Sequence, residues 1–228
     1  MRVLLVGHGR MGKLVEALAP EYQASIARVI TREDADSSLR AELNDVDIAI
    51  DFTVADAVPR NLPLLAERGV NVVIGTSGWT AHEPELRRVV ERSNIGVLAA
   101  PNFSLGLNVF QLIVEEAARR FAPHEGFGAW IHELHHATKK DAPSGTALQL
   151  HNAMEQAGYR RRIDVASTRA GSIPGIHTVG FDGPADTVTL THSVRDRAVF
   201  ARGALEAARW LQGKRGWFTM RDFLTKRV

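Results

Sequence analysis

Short apolar runs alternate with amphipathic stretches through the first hundred residues of the chain. The runs are rich in Val and Ile and end at polar residues or Gly, as the buried strands of a parallel sheet do. An apolar stripe at helical spacing extends from Met11 to Leu18, and Glu83–Arg92 also has a helical pattern. This alternation predicts an α/β fold, a Rossmann-type doubly wound parallel sheet. The predicted strands are Arg2–Val6, Ser25–Ile30, Val46–Phe52, Val70–Ile74 and Ile95–Leu98.

The pattern changes after Pro101, where helices and extended segments no longer alternate strictly. We therefore predict a second, α+β domain at 102–197 and a first domain formed by 1–101 together with 198–228. Helices are predicted at Asn108–Phe121, Ser144–Ala157, Phe200–Leu211 and Trp217–Leu224, an extended segment at Phe127–Leu134, and two paired strands at Thr178–Phe181 and Thr187–His192. The two C-terminal helices are expected to dock onto the first domain.

Composition excludes several classes of protein. The 228 residues are 45% hydrophobic and 24% charged, which is ordinary for a globular protein, and the absence of Cys excludes disulfides, a thiolate nucleophile and Cys-ligated metals. The formal charge is only +2, and the two short basic runs, Arg160–Arg162 and Arg195–Arg197, do not form a nucleic-acid surface. No stretch is apolar enough for a membrane span or a signal peptide. We expect a cytoplasmic protein that binds neither nucleic acid nor a membrane.

A glycine-rich loop follows the first predicted strand and begins the first predicted helix. Gly7-His8-Gly9-Arg10-Met11-Gly12 has the G-x-G-x-x-G pattern of dinucleotide-binding loops. The first Gly permits a tight turn, and the second lets the backbone approach a pyrophosphate at the helix N-terminus. An ordinary glycine turn without a ligand is the alternative interpretation.

Three further segments are candidate cofactor contacts at the ends of predicted strands. The second strand ends at Thr31 and Arg32, where a guanidinium could bind the 2′-phosphate of NADPH, with Arg10 assisting. NADPH is therefore expected to be accepted, although Glu33 or Asp34 could still bind the ribose of NADH. The small and polar loops Gly75-Thr76-Ser77 and Ala100-Pro101-Asn102-Phe103 suit a nicotinamide carboxamide and its ribose.

The segment from His132 to Thr146 concentrates the candidate chemistry of the chain. His135 is suited to proton exchange near neutral pH, and Lys139 supplies a positive charge and a proton. Ser144-Gly145-Thr146 begins a helix whose free N–H groups could bind a carboxylate. These features together indicate a small anionic substrate that accepts a hydride and a proton.

The same segment contains the zinc-protease pattern H-E-x-x-H, from His132 to His136. That pattern binds zinc only on a helix, where residues four apart share a face. Because Phe127–Leu134 is predicted to be extended, the two histidines would lie about 13 Å apart at ~3.3 Å per residue. We therefore predict no metal site.

These motifs resemble those of the 4-hydroxy-tetrahydrodipicolinate reductase (dihydrodipicolinate reductase) family, in the family's order and across nearly the whole chain. The matching segment Glu133–Ala147 contains the most specific run, His135-His136, Lys139 and Asp141-Ala142-Pro143-Ser144-Gly145-Thr146-Ala147. The other matching segments are Gly7–Gly12, Asp51-Phe52-Thr53, Gly75–Gly78, Pro101–Ser104, Gly171–Thr178, Phe200–Leu211 and Met220-Arg221-Asp222. The chain departs from the family in two places. The segment between Thr31 and Val46 is shorter than in the family, and the glycine loop has one residue fewer than the common form.

The resemblance implies an NADH- or NADPH-dependent reductase of the diaminopimelate route to lysine that acts on a cyclic imine dicarboxylate. His135 would be the proton donor and acceptor, Lys139 the proton donor, and His136, Gly145 and Thr146 would bind the substrate carboxylate, with Ser144 nearby. Residues 7–12, 75–77 and 100–103, together with Thr31 and Arg32, would bind the cofactor. The second domain would bind the substrate and also form a homotetramer.

A binding protein that senses NAD(P) without catalysis is the competing function. It would keep the cofactor loop but would have no use for a proton donor beside an anion site, as His135 and Lys139 provide. Four other polar residues, Asp51, Asp141, His177 and His192, are expected to be structural.

Overall fold

The computed structural model describes residues 1–31, 39, 41 and 43–226. Its strands are β1 (Arg2–Val6), β2 (Ser25–Ile30), β3 (Ile48–Asp51), β4 (Asn71–Ile74), β5 (Gly96–Ala99), β6 (Gly128–His135), β7 (Ile163–Arg169), β8 (Ile176–Asp182), β9 (Thr187–Ser193) and β10 (Gly216–Phe218). Its α-helices are α1 (Arg10–Leu18), α2 (Val58–Glu67), α3 (Glu83–Ser93), α4 (Leu105–Phe121), α5 (Gly145–Gln156), α6 (Ala198–Leu211) and α7 (Met220–Thr225). The chain divides into two compact units, 1–104 with 198–228, and 105–197.

The first unit contains a six-stranded parallel sheet in the order β10-β5-β4-β3-β1-β2. Every residue of β3 and β4 is buried, and each strand is apolar except for one residue, Asp51 in β3 and Asn71 in β4. The chain runs outward from β1 to β2 and then returns to the other side of β1 as β3. Because ligands bind where the direction of winding reverses, the carboxyl ends of β1 and β3 are the expected binding edge. The predicted doubly wound sheet is confirmed.

The C-terminal segment differs from the helix predicted over Trp217–Leu224. Residues Gly216–Phe218 instead form β10, in which Trp217 pairs with Val97 of β5. Thr219 then starts the short helix α7, because its side chain and that of Asp222 form a reciprocal capping box. The prediction of a continuous helix is therefore wrong. The apolar pair Trp217-Phe218 belongs to the sheet edge.

The second unit is a four-stranded mixed sheet in the order β7-β6-β8-β9, covered on one face by helices α4 and α5. β6 is parallel to β7 and antiparallel to β8, and β8 and β9 form the predicted antiparallel pair. The core between helices and sheet contains Phe110, Val114, Leu150, Met154, Ile131, Val179 and Phe181. The α+β organisation predicted for this part of the chain is confirmed.

Along β6, alternate residues are buried, so one face of the strand belongs to the core. Ala129, Ile131, Glu133 and His135 are the buried set. In the part of the chain that the structure describes, no helix is long and apolar enough to cross a membrane.

Candidate active site

A carboxylate and an imidazole lie side by side at the end of β6. Glu133 and His135 are two residues apart on the strand, so both side chains lie on its buried face. The carboxylate Oε2 and the imidazole Nδ1 form a hydrogen bond. This contact leaves Nε2 as the nitrogen of His135 that can exchange a proton with a ligand.

The Glu133 carboxylate is fully buried and, besides His135, has hydrogen bonds from Arg169, Ser167 and the Ser144 backbone. Its Oε1 accepts hydrogen bonds from Arg169 Nη2 at 2.6 Å and from the backbone N–H of Ser144 at 3.2 Å. Burial alone would raise the pKa of Glu133, but hydrogen bonds from Arg169, Ser167 and His135 outweigh it and lower the pKa to about 2. Glu133 is therefore an anion at neutral pH.

Burial sets the charge of the two buried histidines. It lowers the pKa of His135, although the hydrogen bond and charge of Glu133 oppose this change. Burial, together with the charge of His135, lowers the pKa of His177 to about 4. The rings of His135 and His177 lie edge to face with centroids 5.2 Å apart. Both imidazoles are therefore predominantly neutral at pH 7, and His135 is in the form that accepts a proton on Nε2.

The start of α5 joins this network. Ser144 is the N-cap of the helix, because its Oγ accepts the backbone N–H of Ala147 at 3.2 Å. The same Oγ lies 3.2 Å from Nε2 of His177, and the Ser144 N–H binds Glu133. Gly145 follows with open space where a Cβ would be, and Thr146 is half-buried. Ser144, the first residue of the predicted anion-binding turn, is thus hydrogen-bonded to the same carboxylate that binds His135.

Lys139 and His136 lie on the loop that follows β6. Lys139 Nζ donates hydrogen bonds to both carboxylate oxygens of Asp141, at 2.7 and 2.9 Å. Burial is the main cause of the lowered pKa of His135, and the positive charge of Lys139 lowers this pKa further. Arg169 anchors the same loop by donating to the backbone carbonyl of Asp141 at 2.6 Å. His136 Nδ1 lies 2.8 Å from Thr138 Oγ1, within the loop. Hydrogen bonds and ion pairs therefore link His135, Lys139 and Ser144, whereas His136 is held by its own loop.

Three residues of this network, Glu133, Arg169 and His177, were given no role by the sequence motifs. Arg169 lies on β7, a strand that the sequence pattern did not predict, and His177 was expected to be structural. His177 faces Glu133 across the β6–β8 pair. Glu133 itself could have been found, since its spacing of two from His135 on a predicted strand puts both on one face.

The extended β6 agrees with the interpretation that His132 and His136 do not bind one zinc ion. His132 faces away from the core and lies 2.9 Å from Thr168 Oγ1. Within the described ranges, the one cluster with metal-ligand spacing is Glu133, His135 and His177, whose ligand atoms lie within 4.8 Å of one another. The guanidinium of Arg169 already neutralises this carboxylate, which disfavours a second cation there.

The glycine loop of the first unit has the backbone that a pyrophosphate requires. Gly7 has φ +93° and packs against the carbonyl of Phe52, and a Cβ on Gly12 would strike the carbonyl oxygen of Gly7. Gly9 is the N-cap of α1, with no side-chain cap and nothing within 4 Å of a Cβ position. The first turn of α1 therefore keeps N–H groups and open space for an anion, so these residues fit a dinucleotide.

The side chains of this loop differ in what they can contribute. His8 Nε2 lies 2.7 Å from Glu16, so its ring is held against α1. Arg10 is exposed and Met11 is half-buried. Thr31 is exposed at the end of β2, whereas Arg32, Glu33 and Asp34 lie outside the described residues.

The two other predicted cofactor loops follow β4 and β5. Thr76 is buried and binds Asp51 at the end of β3, while Ser77 is exposed. In the second loop Pro101 is exposed and Asn102 half-buried, but Ala100 and Phe103 are buried. Phe103 packs edge to face with Phe52, with ring centroids 6.3 Å apart, so its buried side chain supports the loop by packing.

Comparison with known proteins gives one consistent family. The family model described as dihydrodipicolinate reductase, N-terminus, matches residues 1–103, and that described as dihydrodipicolinate reductase, C-terminus, matches 106–224. Two relatives are named 4-hydroxy-tetrahydrodipicolinate reductase. The one from Christiangramia forsetii is 32% identical over 99% of this chain and 98% of its own length. The one from Caldanaerobacter subterraneus subsp. tengcongensis is 36% identical over 99% of both.

A solved structure has the same fold. It is described as dipicolinate-bound dihydrodipicolinate reductase from Paenisporosarcina sp. TG-14, and it aligns with a TM-score of 0.81 at 20% identity over 96% of this chain and 97% of that one. The resemblance inferred from the motifs is thereby confirmed for both units. The chain belongs to the dihydrodipicolinate reductase family.

Proposed function

We propose that this chain reduces the cyclic imine dicarboxylate derived from 4-hydroxy-tetrahydrodipicolinate to tetrahydrodipicolinate, in the diaminopimelate route to lysine. Relatives that carry the name of this reductase match 99% of the chain. The observation that carries the proposal is the hydrogen-bonded network of Glu133, His135 and the helix-capping Ser144. This network supplies a proton exchanger beside an anion site, as the reduction of an anionic ring requires.

The reaction adds one hydride and one proton across a double bond of the ring. A reduced nicotinamide cofactor supplies the hydride, and the open first turn of α1 at Gly9 fits its pyrophosphate. Lys139 would donate the proton, and Nε2 of His135 would accept and return protons during turnover. Gly145, Thr146 and His136 would bind a carboxylate of the ring, so that the ring is held beside the proton donors.

For the finer choice of cofactor, we propose that NADPH is accepted as well as NADH. Arg32, which follows the exposed Thr31 at the end of β2, carries this proposal because a guanidinium suits a 2′-phosphate. The Arg32→Ala variant is expected to lose affinity for NADPH more than for NADH. An undiminished NADPH preference in this variant would contradict the assignment.

We also propose that the chain acts as a homotetramer, assembled through the sheet of the second unit. Helices cover one face of that sheet, and the other face carries the half-buried apolar side chains of Trp130, Leu134 and Ile176. Sedimentation of the purified protein is expected to give four times the mass of one chain. A monomer at micromolar concentration would contradict the proposal.

The reductase activity is tested by the loss of nicotinamide absorbance with freshly prepared substrate, in parallel with NADH and NADPH. Substrate-dependent oxidation of either cofactor is expected. A protein that binds the cofactor and oxidises none of it would be a sensor rather than an enzyme. The location expected from the sequence, the cytoplasm, remains a prediction.

A further inference from the structure

We infer that Glu133, held by Arg169, is a positioning residue that fixes which nitrogen of His135 carries the proton and which way the ring faces. The catalytic part of this inference rests on the proposed function, whereas the part that concerns the ring itself does not.

The hydrogen bonds to Glu133 are all donated to it. An ionised carboxylate only accepts, so the imidazole must place its proton on Nδ1 to bind Oε2. At Oε1 the donors are Arg169 Nη2 and the Ser144 N–H, and neither can reverse its role. The carboxylate therefore cannot rotate away from His135 without breaking its bond to the half-buried Arg169 guanidinium and leaving the buried Ser144 N–H unpaired.

The backbone around Nε2 keeps that nitrogen accessible. A Cβ placed on Gly175 would lie 3.1 Å from Nε2, and Gly175 has φ +153°, which side-chain-bearing residues rarely adopt. A glycine at this position thus leaves room beside the reactive nitrogen. With Nδ1 fixed by Glu133, Nε2 faces this space as a lone pair or, after protonation, as a donor.

The charges around His135 come from every side of the network. Glu133 is on the same strand, Arg169 on β7, His177 on β8 and Lys139 on the following loop. Three of these groups are cationic or become so on protonation, and Glu133 is the anion that balances them. Removing its charge therefore disfavours the protonated form of His135.

Replacing Glu133 by Gln makes a sharp prediction about the ring. The amide oxygen must take the place of Oε1, because Arg169 and Ser144 still donate there. The amide NH₂ then points at Nδ1 of His135 and donates to it, so the proton moves to Nε2. The Glu133→Gln variant is thus expected to reverse the tautomer of His135.

The test measures both the ring and the reaction. Nitrogen-15 NMR of the histidine rings is recorded for the full chain, with His135 assigned by comparison with His135→Gln. The wild type is expected to show the Nδ1–H tautomer at neutral pH, and Glu133→Gln the Nε2–H tautomer with a lower pKa. In the reductase assay the same variant is expected to lose ~10²–10⁴-fold in kcat, with a smaller change in KM for the cofactor. The pKa of the kcat profile is expected to shift in the same direction as the NMR pKa.

A matched control is available in the same unit. Glu155 Oε2 lies 3.5 Å from Nδ1 of His151 on α5, so Glu155→Gln also removes a carboxylate from a histidine. This control should leave the His135 tautomer and kcat unchanged.

The possible outcomes separate the two proposals. An Nε2–H tautomer in the wild type overturns the inference even if Glu133→Gln does not fold. An unchanged tautomer and kcat in a folded Glu133→Gln overturns it as well. A wild type that shows the Nδ1–H tautomer but no reductase activity contradicts the proposed function and leaves the positioning of the ring intact.

Discussion

Thr76 donates its hydroxyl to the carboxylate of Asp51 at 3.0 Å, and this bond ties together the carboxyl ends of β4 and β3. Asp51 is buried and also accepts hydrogen bonds from Thr53 and from Asn61, the latter at 2.9 Å. These contacts join neighbouring segments of the first unit, which agrees with the structural role predicted for Asp51. The loop at 75–77, a candidate nicotinamide contact, is therefore anchored to the end of β3 by the bond between Thr76 and Asp51.

We predict that Thr76→Val weakens both the fold and the loop. The substitution removes one donor from a buried carboxylate, which costs about 1 kcal/mol of unfolding free energy. Urea denaturation would measure this loss, and calorimetric titration with NADPH is expected to show weaker binding. The exposed Thr80→Val serves as a control. Equal stability of the two variants would contradict the prediction.

Two glycines of the first loop should respond differently to Ala. Gly9→Ala is expected to fold normally, because nothing lies within 4 Å of its Cβ, but to weaken cofactor binding ~10-fold by occupying the space for the pyrophosphate. Gly12→Ala is expected to lose about 1–3 kcal/mol of stability, because its Cβ meets the Gly7 carbonyl. Thermal unfolding and cofactor titration separate the two effects. Normal cofactor affinity in Gly9→Ala would show that the pyrophosphate is bound elsewhere.

The two proposed proton carriers should affect turnover and not cofactor affinity. His135→Ala and Lys139→Ala are each expected to lower kcat by ~10²–10⁴-fold, the usual contribution of a positioned acid or base. The dissociation constant of NADPH should change little, since both residues belong to the second unit and the glycine loop to the first. Wild-type rates in both variants would mean that the reaction uses other groups.

The stability of the protein should fall as the pH is lowered from about 6.5 to 4. Burial, with the charge of His135, lowers the pKa of His177 from 6.5 to about 4, so the unfolded chain binds a proton in this range that the folded chain does not. The full effect of this group is about 3 kcal/mol, at ~1.4 kcal/mol per pKa unit. Urea denaturation at several pH values would measure it. In His177→Gln the fall between pH 6.5 and 4 should be smaller, and an identical profile would contradict the assignment to His177.

The sequence predicted most of the first unit because its central strands, β1, β3, β4 and β5, are mostly apolar and buried on both faces. It did not predict α2, where Pro63 lies inside the helix although four of its apolar residues are buried. Nor did it predict β7, whose sequence Ile163–Arg169 is largely polar and exposed and is a strand only because it pairs with β6.

The site shows the same division between local and distant information. Glu133 and His135 are close because of local strand geometry, which a sequence reveals. Arg169 and His177 reach them through pairing of β6 with β7 and β8, partners more than thirty residues away in the chain. These pairings join segments that are distant in the chain, so the pattern of one segment alone does not reveal them.

The sheet of the first unit has an edge strand, β10, that is encoded after the entire second unit. During synthesis on the ribosome, β5 emerges long before the strand that pairs with it, and its backbone N–H and C=O groups stay unpaired on that side while residues 105–197 are made. The nascent chain thus carries an open β-edge that invites association with other strands. The six-stranded sheet is therefore complete only once residues 216–218 have been made and have paired with β5.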